Sequence, residues 1–202
     1  MRLGDFAIVR SGSALTKGGE TALYAVPSCV SAAGVDCGMA TLGCPPARGG
    51  EDARVNEGDV LVVLRGTTNL AGRVGSLEAL NLPLFATLDL GVVHVADGET
   101  LPEYVAAYLN LPRTQTALAQ HRTGVGAPRL PLSALSDLDV PLPSLRRQRA
   151  FVALAAEAEA ERVLQEQMIE ARKRLVGELL ASSLEAEEPV PGCSPARVHE
   201  RS

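Results

Sequence analysis

"SDLDVPLPSLRRQRAFVALAAEAEAE", Ser136 to Glu161, joins two different patterns at a proline. Leu138 to Leu142 is a short apolar run closed by Pro141 and Pro143, which predicts a strand. Ser144 then offers an N-cap oxygen, and a long charged helix begins. Arg147 at the third helical position rules out the glutamate of a capping box. A domain that closes on an isolated strand and at once sends out a helix must have a use for that helix.

The spacing of apolar residues points to the use. Phe151, Leu154, Ala158, Leu164, Met168, Ala171, Leu175 and Leu179 share one stripe, with Glu161 as a polar interruption. Eight steps from Phe151 to Leu179 give an average of 3.5 residues, the coiled-coil period rather than the 3.6 of a helix lying on a globular core. From Leu145 to Ser183 such a helix reaches roughly 58 Å at 1.5 Å per residue. A domain of the preceding length is only about 30 Å across. The helix is therefore expected to project, and its stripe needs another helix. Residues 185–202 are acidic and proline-containing, the composition of a disordered tail.

Upstream, the patterns are those of short strands and turns. Leu3–Gly12, Leu23–Val26, Cys29–Ser31, Val60–Arg65, Ala71–Leu77, Pro83–Leu88 and Gly91–Ala96 read as strands, with Gly66–Asn69 as the tip of a hairpin or meander. Gly34 to Glu57 reads as loops around small strands. Helices are predicted from Pro102 and over Pro112–His121, and Arg129–Leu132 and Leu138–Val140 complete the sheet. The expected fold class is α+β: a mixed, short-stranded domain over 1–143, one long coiled-coil helix over 144–184, and the tail.

Composition narrows the functional classes. The chain has 202 residues, is 46% hydrophobic and 3% aromatic, and carries 19 glycines and 13 prolines, which suits many short strands. No leader pattern and no apolar run of membrane-spanning length occurs, so a cytoplasmic protein is expected. Cys29, Cys37, Cys44 and Cys193 form no C-x-x-C pair, and His94, His121 and His199 are scattered, so no metal site is expected and the cysteines read as reduced thiols. Net charge is −5, but residues 1–149 hold 13 Lys/Arg against 14 Asp/Glu, while residues 150–202 hold 6 against 10. The acidity lies in the helix and tail, and the domain remains able to present one basic face.

Catalysis finds no support. Asn81–Leu84, "NLPL", lacks the paired prolines and aromatic with which a DNA adenine methyltransferase holds its base. "TGVGAP" (Thr123–Pro128) is only Gly-x-Gly and opens no helix, so no methyl-donor or other cofactor is expected. No Ser/His/Asp or Cys/His arrangement stands out. The tip "RGTTN" is chemically richer. Arg65 can fork onto guanine, Asn69 onto adenine, and Thr67 and Thr68 can meet phosphates or a thymine methyl. The same residues also suit a plain polar turn. Lys17, Arg48, Arg54, Arg73, Arg113 and Arg122 are candidates for a phosphate-facing surface, although each taken alone reads first as a solvated surface charge. Arg146, Arg147 and Arg149 stand at the domain–helix junction, where backbone contact, docking or salt bridging to Glu157 would all suit them.

Three stretches together carry a resemblance: "VNEGDVLVVLRGTTNLAGRVG" (55–75), "HRTGVGAPRLPLSALSDLDVPLPSLRRQRAFVALA" (121–155) and "EARKRLVGELLAS" (170–182). A Gly-Asp strand with a polar tip, a Thr-Gly loop, a leucine-spaced run ending Val-Pro-x-Pro, and Gln148 in the first helical turn resemble the specificity subunits of type I restriction–modification systems. Order and spacing agree over most of residues 3–184, while Leu23–Ala53 shows no pattern that can be placed. The resemblance implies a target recognition domain for double-stranded DNA followed by a conserved helix. In that family two such units occur per subunit, and their helices pair antiparallel as a spacer that also docks the modification (methyltransferase) subunits. This chain has one unit, which implies a half-length subunit pairing with a second copy or with a different half-subunit. With the resemblance, the tip Arg65–Asn69 is favoured as a DNA contact. Two other classes stay open: a coiled-coil adaptor without DNA binding, and an accessory subunit of a lone methyltransferase.

Overall fold

Val60 to Leu64 is an unbroken apolar run because both of its faces are covered. Val60, Val62 and Leu64 point into one cluster with Leu3, Tyr104, Val105, Leu109, Leu118 and Leu135. Leu61 and Val63 point into another with Val30, Val74, Leu84, Ala86 and Val92. A strand with one wet face would have alternated. The computed structural model describes residues 1–16, 18–46 and 50–185. In chain order these form α1 (Leu3–Phe6), β1 (Ala7–Ser11), β2 (Ala22–Ala25), β3 (Val30–Ser31), β4 (Gly34–Val35), β5 (Thr41–Gly43), α2 (Gly50–Ala53), β6 (Val60–Val63), β7 (Ala71–Arg73), β8 (Leu84–Ala86), β9 (Leu90–Val95), α3 (Pro102–Leu109), α4 (Pro112–Gln120), α5 (Leu132–Ser136) and α6 (Leu145–Glu185). The fold is α+β, with short mixed strands followed by a long C-terminal helix.

The main sheet runs β1-β9-β6-β7, antiparallel throughout. A second sheet, β5-β2-β8, pairs β2 with β8 in parallel and with β5 antiparallel, and β3 pairs with β4. The second apolar cluster fills the layer between them, and Tyr24 stacks on Phe85 at 5.7 Å beyond it. Where β1 leaves the main sheet, Gly12 passes so close to the next layer that a Cβ there would stand 2.0 Å from the Thr87 carbonyl oxygen. Only glycine fits. This close pass lets the Gly12 amide donate to Leu90 O and the Ser13 amide to Ala86 O, fixing the turn at Thr87–Asp89. Just before β6, Asp59 is fully buried, accepting from the Asn56 amide (2.8 Å) and facing His94 Nδ1 of β9 (2.8 Å) and Arg10 Nη2 of β1 (3.6 Å).

Several sequence expectations need correction. Leu3–Phe6 is a helical turn, and the first strand starts only at Ala7. Cys29 closes a 3₁₀ turn, leaving Val30–Ser31 as the strand. Residues 132–136 are helical, and Arg129 makes single bridges only. Leu138–Leu142 is not a sheet strand either. It bridges the N-terminus through Arg2↔Asp139, with Leu3 N donating to Leu138 O and Val140 N to Met1 O. Pro141 and Pro143 carry no donors, so a full ladder was never open to this segment. Two tyrosines of α3 satisfy its carbonyls instead: Tyr104 Oη donates to Pro141 O (2.6 Å) and Tyr108 Oη to Asp139 O (3.2 Å).

The chain divides into two compact units, Met1–Ala160 and Glu161–Ser202, so the division falls inside α6 rather than at its start. In the first unit, Gln148 is buried at the head of the helix. Its Oε1 accepts from the Leu101 amide (2.8 Å), and its Nε2 donates to Glu99 O (3.0 Å) and Pro143 O (2.9 Å). A side chain with both an acceptor and two donors is required there, which gives the glutamine its reason. Phe151 lies edge-on against Tyr104 at 5.3 Å. In the second unit, the helical residues whose exposure is described are exposed apart from the half-buried Val163, with Leu164 and Leu179 each at 60% and Met168 at 72%. The helix extends to Glu185, the first residue of the tail expected over 185–202, and the remainder, 186–202, lies outside the described residues. No described helix is long and apolar enough to cross a membrane.

Candidate nucleic-acid interface

The β6–β7 connection carries the tip. Gly66 adopts φ +126°, which turns the chain sharply after Arg65, and Thr67 and Thr68 are exposed. Arg65 is exposed too, and its Nε lies 3.5 Å from Asp89 Oδ1. Asn69 corrects the expectation of a base contact. It is fully buried, donates Nδ2 to Val63 O (2.7 Å) and accepts at Oδ1 from Arg122 Nε (2.8 Å). Its backbone is clamped by Gln115, which accepts from the Asn69 amide at 2.9 Å and donates to its carbonyl at 2.8 Å. All the groups of Asn69 are engaged inside the protein, so it holds the tip rather than reading from it.

Arg122 is thereby brought to the tip, but as a half-buried partner of Asn69 rather than a free phosphate clamp. The other predicted cations do not join it. Arg73 pairs with Val60 at the opposite end of the hairpin and makes an ion pair with Glu103 at 3.0 Å. Arg54 is exposed, bridges Phe85 and lines a separate groove with Pro45, Asn56, Leu80 and Asn81. Arg113 sits over the Tyr108 ring at 5.5 Å, beside a groove of about 800 Å³ shared with Thr114, His121, Asp137 and Asp139. Lys17 and Arg48 lie outside the described residues. Arg146, Arg147 and Arg149 are exposed on the first turns of α6.

Sequence reasoning passed over the second half of the surface. Thr123–Pro128, expected only as a Thr-Gly loop that opens no helix, folds back on itself through the Thr123↔Arg129 bridge, with Gly124 at φ +100° and Gly126 at +87°. Val125 at its apex is 104% exposed. Arg129 then bridges Arg65, Gly66 N donates to Pro128 O (2.9 Å), and Leu130 N donates to Leu64 O (2.7 Å). Arg129 Nη2 reaches across to Leu88 O at 2.6 Å. Three connections therefore meet: the β6–β7 tip, the turn at Thr87–Asp89 and the loop 123–129. The signal that could have found the loop was the pair of glycines around an exposed valine.

Of the expected helix-pairing residues, Leu154, Ala158, Leu164, Met168, Ala171, Leu175 and Leu179 are exposed, together with Ile169, Val176 and Leu180. Phe151 is the correction, since it is half-buried against Tyr104 and belongs to the domain's own core. Cys29, Cys37 and Cys44 are free thiols among the described residues, and burial raises the pKa of Cys29 and Cys37 above the ordinary thiol value. No group of three or more His, Cys, Asp or Glu among the described residues is arranged to hold a metal ion.

No protein-family model matches the chain, and no curated protein does. Solved structures do match it in fold. A chain from a structure describing the assembly and conformational transition of a type I restriction–modification system superposes with a TM-score of 0.57 at 17% identity, over 90% of this chain and 41% of that one. The S subunit of a type I restriction–modification system from M. genitalium gives 0.54 at 12% identity, over 93% of this chain and 46% of that one. The chain thus spans less than half the length of these solved chains. Its fold is that of their matching portions.

Proposed function

We propose that this chain is a DNA-binding specificity subunit of a type I restriction–modification system, built from one target recognition domain (1–143) and one helix (144–184). The observation that carries this reading is the likeness in fold to an S subunit across 93% of the chain, at the identity where only fold persists. The three-connection surface supports it by gathering an exposed arginine, two threonines and an apolar loop apex in one place, which is the chemistry of groove contact. The apolar stripe of α6 supports pairing with a second copy, or with another subunit of the same kind, so that two domains read a bipartite site. Methyltransferase subunits act at that site, and a restriction subunit with them. The chain itself reads and does no chemistry.

Mapping of DNA methylation in cells with and without this protein tests the reading. One bipartite motif should lose its methylation on deletion and regain it on complementation. Methylation unchanged at every motif would sink it and favour a coiled-coil adaptor without DNA binding.

A further inference from the structure

Arg65 and Arg129 stand directly opposite each other in an antiparallel bridge. The flanking hydrogen bonds, Gly66 N to Pro128 O and Leu130 N to Leu64 O, make this the closely spaced kind of pair, in which opposing Cα atoms are about 4.5 Å apart and side chains share a face. Two like charges placed so are unfavourable. The turn at Thr87–Asp89 resolves the conflict differently for each. The Leu88 carbonyl accepts from Arg129 Nη2, and the Asp89 carboxylate lies 3.5 Å from Arg65 Nε. The turn is itself pinned, because Leu64 N donates to Asp89 O at 2.8 Å and Gly12 N to Leu90 O at 3.0 Å.

The two arginines end up with different jobs. Arg129 is half-buried and spends a terminal nitrogen on the backbone, which makes it a strut. Arg65 meets the protein through Nε, and among the described residues its side chain has no other hydrogen bond or ion pair. Its two terminal nitrogens remain for the forked contact to guanine O6 and N7. An arginine already held on its inner edge loses less side-chain freedom when it meets a base.

Resting on the functional reading above, we propose that Asp89 is a positioning residue for recognition: it holds Arg65 by its inner edge so that the guanidinium fork reads one guanine of the target site. Asp89 touches no base in this arrangement. Its negative charge would weaken attraction to phosphate, so its use is discrimination rather than affinity.

The test enriches a randomised duplex DNA library on the purified full chain at low salt and sequences what is retained. The wild type should enrich a motif with guanine at one position, and Arg65→Ala should lose that preference. Asp89→Ala should weaken it about tenfold, within the range one forked contact supplies. Asp89→Glu, which keeps the carboxylate that pairs with Nε, should restore most of it. The double variant should be no less selective than Arg65→Ala alone. A merely structural role for Asp89 would lower thermal stability and retention of all sequences alike, and that outcome overturns the proposal. So does an unaltered guanine preference in Asp89→Ala, or in Asp89→Ser if the alanine variant fails to fold. A wild-type chain that enriches no motif overturns the functional reading and this proposal together, whereas a selective wild type with an indifferent Asp89→Ala overturns the proposal alone.

Discussion

The two stretches of α6 on either side of Ala160 obey the same helical geometry and treat their side chains in opposite ways. Before Ala160 a polar residue is inside: Gln148 is buried with three hydrogen bonds to backbone, and Phe151 and Val152 pack on the domain core. After it, apolar residues are outside: Leu164, Met168, Ile169, Leu175, Val176, Leu179 and Leu180 are exposed beside surface pairs such as Lys173 with Glu170. Burial therefore follows what is available to cover or satisfy a group, not its polarity. An apolar period states that a helix face wants a cover, and leaves open whether the cover is the chain itself or another molecule.

Breaking the second stretch should have the largest effect. Leu164→Glu with Leu175→Glu places two charges in the stripe, where burial of several side chains at about 1.5–3 kcal/mol each would hold a pair of helices together. Light scattering should show a dimer for the wild type at micromolar concentration and a monomer for the variant, or loss of a hetero-pair where a different half-subunit is the partner. The thermal unfolding of the domain should stay where it was. A wild type that is monomeric, alone and with every candidate partner, would remove helix pairing from the functional reading.

Breaking the first stretch should act in the reverse sense. Gln148→Ala strips partners from the Leu101 amide and from the Glu99 and Pro143 carbonyls. These groups are part-buried, so leaving each unmet costs at most the roughly 1–3 kcal/mol of a fully buried group, and a net loss of about 3 kcal/mol is expected for the three together. For a domain of this size that is a fall of roughly 6–12 °C in Tm, read by calorimetry. Gln148→Leu, which keeps the volume, should do no better, because the loss is in hydrogen bonds rather than packing. Self-association should be unaffected in both.

The sequence was most legible where one physical demand acts alone. The helical period of α6, the proline starts of α3 and α4 and the apolar runs of β6 and β9 follow from local pattern, and they stand within a residue or two of their expected bounds. It was least legible where distant groups settle the outcome. Leu138–Leu142 has a strand's composition, but its carbonyls are met by Tyr104 and Tyr108, which no local window sees. Asn69 looks like a base reader beside Arg65, and burial by Gln115 and Arg122 makes it a clamp. Asp89 lies twenty-four positions from Arg65 in sequence and became visible only through the turn that brings them together.

That distinction within the tip is itself breakable. Asn69→Ala orphans Val63 O and frees Arg122 Nε, so it should cost about 1–3 kcal/mol of domain stability. Arg65→Ala, an exposed change, should leave the unfolding free energy within about 0.5 kcal/mol of the wild type while altering the methylated motif in cells. If Asn69→Ala kept full stability and changed the motif, Asn69 would return as a reading residue and the buried clamp would lose its role.

The smallest effect should come from Leu154, and it sharpens the boundary between the two stretches. Leu154 is 72% exposed although it lies before Ala160, one turn beyond the docked Phe151. Its side chain contributes little to the domain, so Leu154→Ser should change thermal stability by less than about 0.5 kcal/mol. Its effect on self-association depends on register. An antiparallel pair centred between Met168 and Val176 would set Leu164 near Leu180 of the second copy and leave Leu154 beyond the described helix of its partner. A pair centred near Glu166 would instead set Leu154 against Leu179 and enclose it. The exposed apolar residues are concentrated from Leu164 to Leu180, which favours the first register. Sedimentation of Leu154→Ser should therefore show a dissociation constant within about threefold of the wild type, the scale of a surface change. A tenfold weakening, about 1.4 kcal/mol, would mean that pairing reaches back into the first stretch, shortening the separation between the two domains and with it the spacer of the bipartite site.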